Sequence, residues 1–259
     1  SRTFVVRSLD DADRIKGFIK DNNAKNAVIV GGGFIGIEVA ENLVELGINT
    51  TLVELNNQIL AQVDPEIALI AYNHSVEKGI NFILSDGVKN FREGKVVLNS
   101  GNEIDYDICI LSIGVKPETA LAVKAGLDIN RGIVVDDHLR TSDSSIYAAG
   151  DNIEIIDFVT GHTGLIPLAG PANRQGRIVA DNIAGLDSVY KQTQGSSAVK
   201  VFDLTVSGTG NNEKQLRQKG ISYLKSYIYA RSHAGYYPDS DMILFKLLFG
   251  ISFPLIIPL

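Results

Sequence analysis

The 259-residue sequence contains a single cysteine, Cys109, so it can form neither an intramolecular disulfide nor a multi-cysteine zinc site. Cys109 lies in an apolar run without a cationic neighbour that could lower its pKa, and we interpret it as a buried structural thiol. The four histidines are scattered without metal-ligand spacing, which predicts no metal site. A long basic run is also absent and the net charge is −6, so we expect no nucleic-acid partner.

The sequence has no apolar run of the roughly 20 residues that span a bilayer, and no signal peptide is visible. We therefore expect a cytoplasmic protein without a membrane partner. The apolar end "ISFPLIIPL" (251–259) is interpreted as an interrupted strand, with a hydrophobic anchor as the alternative. Because the only methionine is Met242, we expect the chain to be an internal piece of a longer protein.

A strand, a helix and a second strand are predicted around the glycine-rich stretch "GGGFIGIE" (31–38). A β-branched run over 26–30 precedes it, a helix is expected over 34–46, and another β-branched run follows over 49–55. This order within about 30 residues is a βαβ unit. We therefore predict an α/β fold that contains a Rossmann-type dinucleotide-binding domain.

Gly31, Gly33 and Gly36 have the G-x-G-x-x-G spacing of such domains. The first glycine permits the tight turn, the second lets the backbone approach a pyrophosphate, and the third allows close packing of helix on strand. Glu54 ends the second strand, where a carboxylate can accept a hydrogen bond from a ribose 2′-hydroxyl and repels a 2′-phosphate. No arginine or lysine occurs between Glu54 and Asp64, so the sequence predicts NADH rather than NADPH.

Three other residues near this turn are candidate cofactor contacts. Phe34 is either a core residue of the helix start or a ring that covers a nicotinamide pocket. Ile35 follows it, and Glu38 is expected in the first turn of the helix, where the helix dipole favours an acidic residue.

The rest of the chain is predicted to alternate between helices and strands before becoming rich in strands near its end. Helices are expected over 9–20, 66–78, 120–127, 171–185 and 213–219, a hairpin over 95–105, and strands over 80–84, 108–113, 132–136, 144–151, 199–210, 221–230 and 242–249. The last group of strands predicts an antiparallel α+β region.

The stretch "TSDSSIYAAGD" (141–151) is a second candidate ligand segment. Its strand is expected to deliver Gly150 and Asp151 to the carboxyl end, where ligands bind in α/β sheets. Asp151 can accept hydrogen bonds from a chain that carries hydroxyl groups. On its own, a Gly-Asp pair is an ordinary turn.

Together these segments resemble the flavin-dependent pyridine nucleotide–disulfide oxidoreductases over residues 2 to about 248. "GGGFIGIE" is similar to the family's NADH fingerprint, and "SIGVKP", with Gly114, resembles the segment where its NAD domain returns to its FAD domain. "TSDSSIYAAGD" resembles the second FAD motif, which implies that Asp151 contacts the ribityl chain. "IPLAGPANRQGR" resembles the helix start beside the isoalloxazine ring, which implies flavin contacts for Leu168, Ala169 and Ala172.

The resemblance also implies how the chain is organised. Residues 1–24 would connect from an FAD-binding half outside this chain, 25–114 would be the NAD-binding domain, 115–186 the C-terminal part of the FAD-binding domain, and 187–259 a truncated dimerisation domain. A homodimer is implied as well. The family's N-terminal FAD fingerprint and its redox cysteine are not found in this sequence.

"VKVFDLTVSGTG" and "SHAGYYP" (232–238) resemble a branch with coenzyme A–disulfide reductases, persulfide or polysulfide reductases, and NADH oxidases or peroxidases. The resemblance implies transfer of hydride from NADH to FAD and of electrons to a small-molecule disulfide, persulfide or polysulfide. It implies proton donation by Tyr236 or Tyr237, for which an ordinary strand end is the alternative. An NADH oxidase or peroxidase is the alternative activity, and a non-catalytic NADH-binding module is the alternative of another class. This chain alone is expected to be largely inactive.

Overall fold

The computed structural model describes residues 2–250, so the apolar end over 251–259 lies outside the described residues. No helix in this range is long and apolar enough to cross a membrane. The helices are α1 (Leu9–Asn22), α2 (Phe34–Glu45), α3 (Pro65–Glu77), α4 (Ala120–Lys124), α5 (Ala169–Ile183) and α6 (Glu213–Gln218). The strands are β1 (Thr3–Val5), β2 (Asn26–Val30), β3 (Asn49–Glu54), β4 (Ile80–Leu84), β5 (Val88–Arg92), β6 (Lys95–Leu98), β7 (Glu103–Asp105), β8 (Ile108–Leu111), β9 (Ile155–Ile156), β10 (Thr163–Gly164), β11 (Ser197–Val201), β12 (Leu204–Gly208), β13 (Leu224–Arg231) and β14 (Met242–Phe249).

Five parallel strands form a central sheet in the order β1–β8–β2–β3–β4. Ile29, Leu52 and Ile110 are fully buried between this sheet and helices α1, α2 and α3. The other face is covered by the antiparallel sheet β5–β6–β7, whose Val96 and Leu98 are also fully buried. Coverage on both faces explains why these strands are almost continuously apolar. The predicted Rossmann-type α/β fold with its βαβ unit is confirmed.

Residues 115–186 contain a separate, smaller core that includes Leu139, Ile153 and Ile178. The strands predicted over 132–136 and 144–151 are wrong, because these segments form only isolated bridges in the structure. A strand needs a hydrogen-bonded neighbour along its length, and within residues 2–250 neither segment has one.

Helix α5 begins at Ala169, two residues before the predicted start at Pro171. Proline lacks an amide hydrogen, and the amides of a helix's first turn have no partner within the helix. Pro171 therefore fits inside the first turn as well as at its beginning. The predicted end of this helix, at 185, is also late, since the α5 helix ends at Ile183.

The single strand predicted over 199–210 is also wrong, because this segment forms the hairpin β11–β12. Phe202 lies in the connecting turn with a φ of 57°, a conformation that reverses the chain. Its amide donates a hydrogen bond to the buried carboxylate of Glu41 at 2.7 Å, which fixes the hairpin to α2.

The hairpin shares a core with the central sheet, since Val199 and Val201 belong to the same buried cluster as Ile29. Strand β1 likewise lies in the central sheet, paired with β8. The domain boundaries expected at residues 25, 115 and 187 stay predictions.

The antiparallel hairpin β13–β14 is formed as predicted, with Leu224 opposite Phe249 and Arg231 opposite Met242. Lys246 anchors it to the rest of the molecule, because its side chain is only 5% exposed. Its Nζ lies 2.8 Å from Asp64 and 2.6 Å from Glu66 at the start of α3, and it also contacts Glu213 of α6.

Candidate functional site

Two glycines of the predicted turn are required by packing inside the protein. Gly31 has a φ of 106°, which residues with side chains rarely adopt, and an added Cβ would overlap the carbonyl oxygen of Ser112. At Gly36 an added Cβ would overlap the carbonyl oxygen of Gly31. Helix α2 therefore starts in direct contact with the end of β2, as the first and third glycines of the pattern require.

Gly33 differs from these glycines, because no other part of the described chain lies within 4 Å of a Cβ added to it. It is the N-cap of α2, and its φ of −77° and ψ of −173° suit any residue. Among residues 2–250 no side chain caps this helix, so the amides of its first turn can bind another acceptor. The open space and the amides together form a cradle for an anionic group such as a pyrophosphate.

Glu54 is buried at the end of β3, with 9% of its surface exposed. Its Oε2 accepts a hydrogen bond from the amide of Gly32 at 2.6 Å. Its Oε1 accepts from the amide of Asn56 at 2.7 Å and from the side chain of Asn56 at 2.6 Å. A carboxylate offers about four acceptor positions, two on each oxygen. Counting the donors within residues 2–250, one position on Oε2 therefore remains beside the glycine turn.

Ser112 connects the end of β8 to the same turn. Its hydroxyl lies 3.0 Å from the carbonyl oxygen of Val30 and 3.1 Å from that of Gly31. Gly114 follows with a φ of 96°, and no other part of residues 2–250 lies within 4 Å of a Cβ added to it. Sequence reasoning singled out Gly114 and missed Ser112, although a polar residue directly after an apolar strand was an available signal.

The structure places the other candidates of this turn in three different environments. Phe34 is half-buried and packs against the main core, which is the core alternative expected for it. Ile35 is 42% exposed at the helix start. Glu38 is exposed, and its expected place in the first turn is wrong: α2 begins at Phe34, and one turn contains 3.6 residues.

The second candidate segment is held against α5 by a buried amide. Gly150, with a φ of 92°, donates its backbone N–H to Oε1 of Gln175 at 2.8 Å. Gln175 is 2% exposed, and the methyl group of Ala172 lies 4.0 Å from a Cβ built at Gly150. Gln175 was missed by sequence reasoning, and its place three residues before the buried Ile178 was the signal for it.

Asp151 follows this turn and is exposed. Leu168 is the N-cap of α5, and within residues 2–250 no side chain caps the helix there. The backbone amide of Ala169 therefore belongs to a helix start that can face an acceptor. The structure thus brings the two segments that carry the expected flavin contacts together, next to a helix N-terminus.

Tyr236 and Tyr237 lie in the segment that joins β13 to β14. Their rings are tilted against each other with centroids 4.9 Å apart, and the residues are 83% and 59% exposed. They belong to a different part of the molecule from the glycine turn. An exposed pair of this kind can contact a second chain or a ligand, but the structure does not place it in a cleft with the other candidates.

Cys109 is fully buried on β8, and burial raises the pKa of its thiol to about 12. A thiolate is the reactive form of cysteine, so this residue cannot serve as a redox nucleophile near neutral pH. The interpretation of Cys109 as a buried structural thiol is confirmed.

Residues 1–176 match the pyridine nucleotide-disulphide oxidoreductase family. Among curated relatives, an NADH oxidase from Methanocaldococcus jannaschii is 34% identical, across 95% of this chain and 56% of that protein. A coenzyme A disulfide reductase from Staphylococcus aureus is 30% identical, across 96% of this chain and 57% of that protein. The chain therefore spans little more than half the length of the curated relatives it matches.

Two solved structures have closely similar folds. The reduced CoADR-RHD of Bacillus anthracis aligns with a TM-score of 0.94 and 47% identity, across 96% of this chain and 46% of that chain. A NAD-dependent persulfide reductase from A. fulgidus aligns with a TM-score of 0.94 and 34% identity, across 97% of this chain and 48% of that chain.

Proposed function

The chain belongs to the pyridine nucleotide-disulphide oxidoreductase family, and from this premise we propose that it carries the NADH site and part of the flavin site of an NADH-dependent flavoprotein. The proposed substrate is a small-molecule disulfide, persulfide or polysulfide, as in the relatives named coenzyme A disulfide reductase and persulfide reductase. The open cradle at Gly33, with the one acceptor position left on Glu54, is the observation that carries the proposal.

NADH fits the residues at this cradle. The pyrophosphate would approach Gly33 and the first amides of α2, where the helix dipole favours anions. The free position on Glu54 Oε2 would accept a hydrogen bond from the adenosine ribose, and Ile35, exposed at the helix start, would contact the nicotinamide half, whereas Phe34 packs against the core. A 2′-phosphate would meet the Glu54 carboxylate instead, which supports NADH over NADPH.

FAD fits the second segment, with Gly150, Asp151, Leu168, Ala169 and Ala172 as the residues that would hold it. Bound FAD would supply the hydride acceptor between NADH and the sulfur substrate. The exposed Asp151 carboxylate is available to hydroxyl groups of the ribityl chain. The positive end of the α5 dipole would stabilise negative charge on the nearby ring.

The reduction of a disulfide consumes one NADH and one proton and releases two thiols. Cys109 is too deeply buried to attack a sulfur atom, so the proposed attacking cysteine lies outside this chain. A leaving thiolate needs a proton, and the exposed hydroxyls of Tyr236 and Tyr237 are the proposed donors, reaching the active site of a partner subunit.

An NADH oxidase is the second candidate function, favoured by the 34% identity to the relative of that name. In that case the acceptor is oxygen, and the NADH and flavin residues keep the same roles. A protein that consumes oxygen rapidly with NADH while leaving coenzyme A disulfide unreduced would select this alternative.

The proposed assembly is a homodimer in the cytoplasm, with the domain boundaries given above. Support for dimerisation comes from the β13–β14 hairpin, where Ile228, Tyr229 and Phe245 are 53%, 71% and 54% exposed. Apolar side chains of this size on one hairpin suit burial against a second subunit. Cys109 is a free thiol, in keeping with a reducing compartment.

A binding titration with NADH and NADPH tests the proposed cofactor site. We expect wild-type protein to prefer NADH, and Glu54→Ala to weaken NADH binding about 10-fold, because a charge-assisted hydrogen bond contributes about 1.5 kcal/mol or more. Glu45→Ala is the matched control, since this carboxylate is exposed at the opposite end of α2 from the glycine turn, and it should leave the affinity within about twofold. Equal affinity of the wild type for both cofactors would contradict the assignment.

A further inference from the structure

The segment between β13 and β14 is an ordered turn. The amide of Ser232 donates a hydrogen bond to the carbonyl oxygen of Asp241 at 2.8 Å, which closes the turn at its base. The amide of Asp241 lies 3.2 Å from Ser232 Oγ, and Ser240 Oγ donates to the carbonyl oxygen of His233 at 3.0 Å. Tyr236 and Tyr237 therefore lie in a turn that is held by its own hydrogen bonds.

The imidazole of His233 spans this turn. Its Nε2 lies 2.8 Å from the carbonyl oxygen of Pro238, and its Nδ1 lies 3.1 Å from Ser232 Oγ. A carbonyl oxygen can only accept, so Nε2 must carry the hydrogen, and in the neutral ring Nδ1 then accepts from the serine hydroxyl. Both ring nitrogens are used, and the orientation of the ring is fixed from two sides.

The fixed imidazole contacts one of the two tyrosines. Tyr237 packs edge-to-face against His233, with ring centroids 6.3 Å apart and an angle of 66° between the planes. Its amide also donates to the carbonyl oxygen of Ala234 at 3.0 Å. Tyr236 leans on Tyr237 and is more exposed, at 83% against 59%. Tyr237 is thus held between two rings, whereas among residues 2–250 Tyr236 has a ring contact with Tyr237 alone.

We propose that His233 is a positioning residue that orients Tyr237, and that Tyr237 rather than Tyr236 donates the proton to the leaving thiolate. The inference rests on the proposed function, in which a tyrosine of this turn acts on the sulfur substrate. A ring that is ordered before it meets the substrate loses less freedom on docking, which favours the residue held in advance. Tyr236, with a free ring face, instead contacts the substrate or the partner subunit by packing.

The proton balance of this step is simple. When the attacked sulfur–sulfur bond breaks, its electron pair leaves with one sulfur as a thiolate. The O–H bond of Tyr237 breaks, the proton passes to that thiolate to form a thiol, and the resulting phenolate regains a proton from water.

Stopped-flow kinetics of the flavoprotein that contains this chain separates the two half-reactions. Tyr237→Phe should slow reoxidation of the reduced enzyme by coenzyme A disulfide about 100-fold, and Tyr236→Phe should slow it much less. His233→Phe keeps an aromatic ring beside Tyr237 but removes both hydrogen bonds, and should slow the same step about 10-fold. Reduction of the flavin by NADH should be unchanged in all three variants, and His162→Phe is the matched control on another loop.

A double variant decides between positioning and general structural damage. In a Tyr237→Phe background, His233→Phe should cause no further loss, because the group that it orients is gone. An additive loss, or unchanged reoxidation in the single His233→Phe variant, would overturn the inference, as would full activity of Tyr237→Phe. Failure of the proposed function looks different, because coenzyme A disulfide would then not reoxidise the NADH-reduced flavin of the wild type at all. Nitrogen NMR of the 259-residue chain should independently show His233 with its hydrogen on Nε2.

Discussion

At the scale of single residues, the three glycines of the turn meet two different requirements, packing inside the protein and access for a ligand, which the sequence pattern does not distinguish. Gly31 and Gly36 are glycines because other parts of the protein occupy the space of a side chain. No other part of the described chain lies within 4 Å of a Cβ added to Gly33, so packing within residues 2–250 does not require a glycine there. The same spacing pattern therefore contains two positions that the fold requires and one that we propose for a ligand.

A pair of alanine substitutions tests this separation. Gly31→Ala should destabilise the fold by about 2 kcal/mol or more, because the added Cβ meets the backbone of Ser112 at a positive φ. Gly33→Ala should leave the urea midpoint nearly unchanged and weaken NADH binding at least 10-fold. Chemical unfolding and a fluorescence titration measure the two effects. Normal NADH affinity in Gly33→Ala is the result that would refute the cradle.

His138 is a second residue with a measurable individual effect. Its ring nitrogens lie 2.9 Å from Asp187 and 2.8 Å from Asp137, and these carboxylates raise the pKa of His138 above its usual 6.5. A histidine whose pKa is higher in the folded than in the unfolded state stabilises the protein fully at a pH below its unfolded-state pKa. That stabilisation is lost as the pH rises through its folded-state pKa.

We therefore expect the free energy of unfolding to fall as the pH rises above about 6.5, the ordinary pKa of histidine. His138→Gln should remove this part of the slope, whereas His162→Gln should keep it, since the His162 ring bonds to the carbonyl oxygen of Thr160 and to no carboxylate within the described part of the chain. Urea unfolding at several pH values provides the measurement. An identical slope in wild type and His138→Gln would show that the two carboxylates do not act on this ring.

At the scale of secondary-structure elements, the β13–β14 hairpin depends on one buried cation. Although burial opposes its charge, hydrogen bonds to Asp64, Glu213 and Glu66 raise the pKa of Lys246 well above its usual value. In return, the pKa of Glu213 is lowered to about 2, most strongly by its hydrogen bond with Lys246 and next by its hydrogen bond with Tyr223. This cluster joins β14 to the starts of α3 and α6. It thereby connects the hairpin that carries Tyr236 and Tyr237 to the loop that follows Glu54.

Removal of the positive charge of Lys246 should lower the free energy of unfolding. Lys246→Met leaves the carboxylates of Asp64 and Glu213, 6% and 8% exposed, without their central partner, and should cost about 3 kcal/mol. Lys225→Met is the matched control, because Lys225 contacts the same Glu213 at 3.1 Å but is 46% exposed, and it should cost less than about 1 kcal/mol. Equal losses in urea unfolding would show that burial of the cation is unimportant.

Elements that close through local contacts were predicted well, whereas two of the strands that need distant partners were predicted wrongly. The helix over 9–20 and the hairpin over 95–105 appear close to their predicted bounds as α1 and as β6 with β7, because each closes through residues near in sequence. The strands expected over 132–136 and 144–151 did not form, because a strand exists only beside another strand. Their alternating sequences contain no information on whether that neighbour is present.

At the scale of the whole molecule, the arrangement follows from long-range contacts. The hairpin β11–β12 joins the core of the central sheet, although residues 112–196 separate it from the last strand of that sheet in sequence. Asn212 of the loop before α6 donates to the carbonyl oxygens of Ala61 and Gln62 at 3.3 and 3.2 Å, so the C-terminal part rests on the segment after Glu54. The segment after Glu54 and the C-terminal part of the chain are thus packed directly against each other.

The sequence by itself determined the βαβ unit, the glycine turn and the acidic residue at the end of β3, because tight turns and apolar periodicity are local properties. Only the tertiary structure decided which glycine faces open space, that Glu54 also holds Gly32 and Asn56, and that Gln175 fixes Gly150 to α5. It also decided that Lys246 gathers three carboxylates from two other elements. These contacts join residues far apart in the chain, and their partners are defined only once the chain has folded.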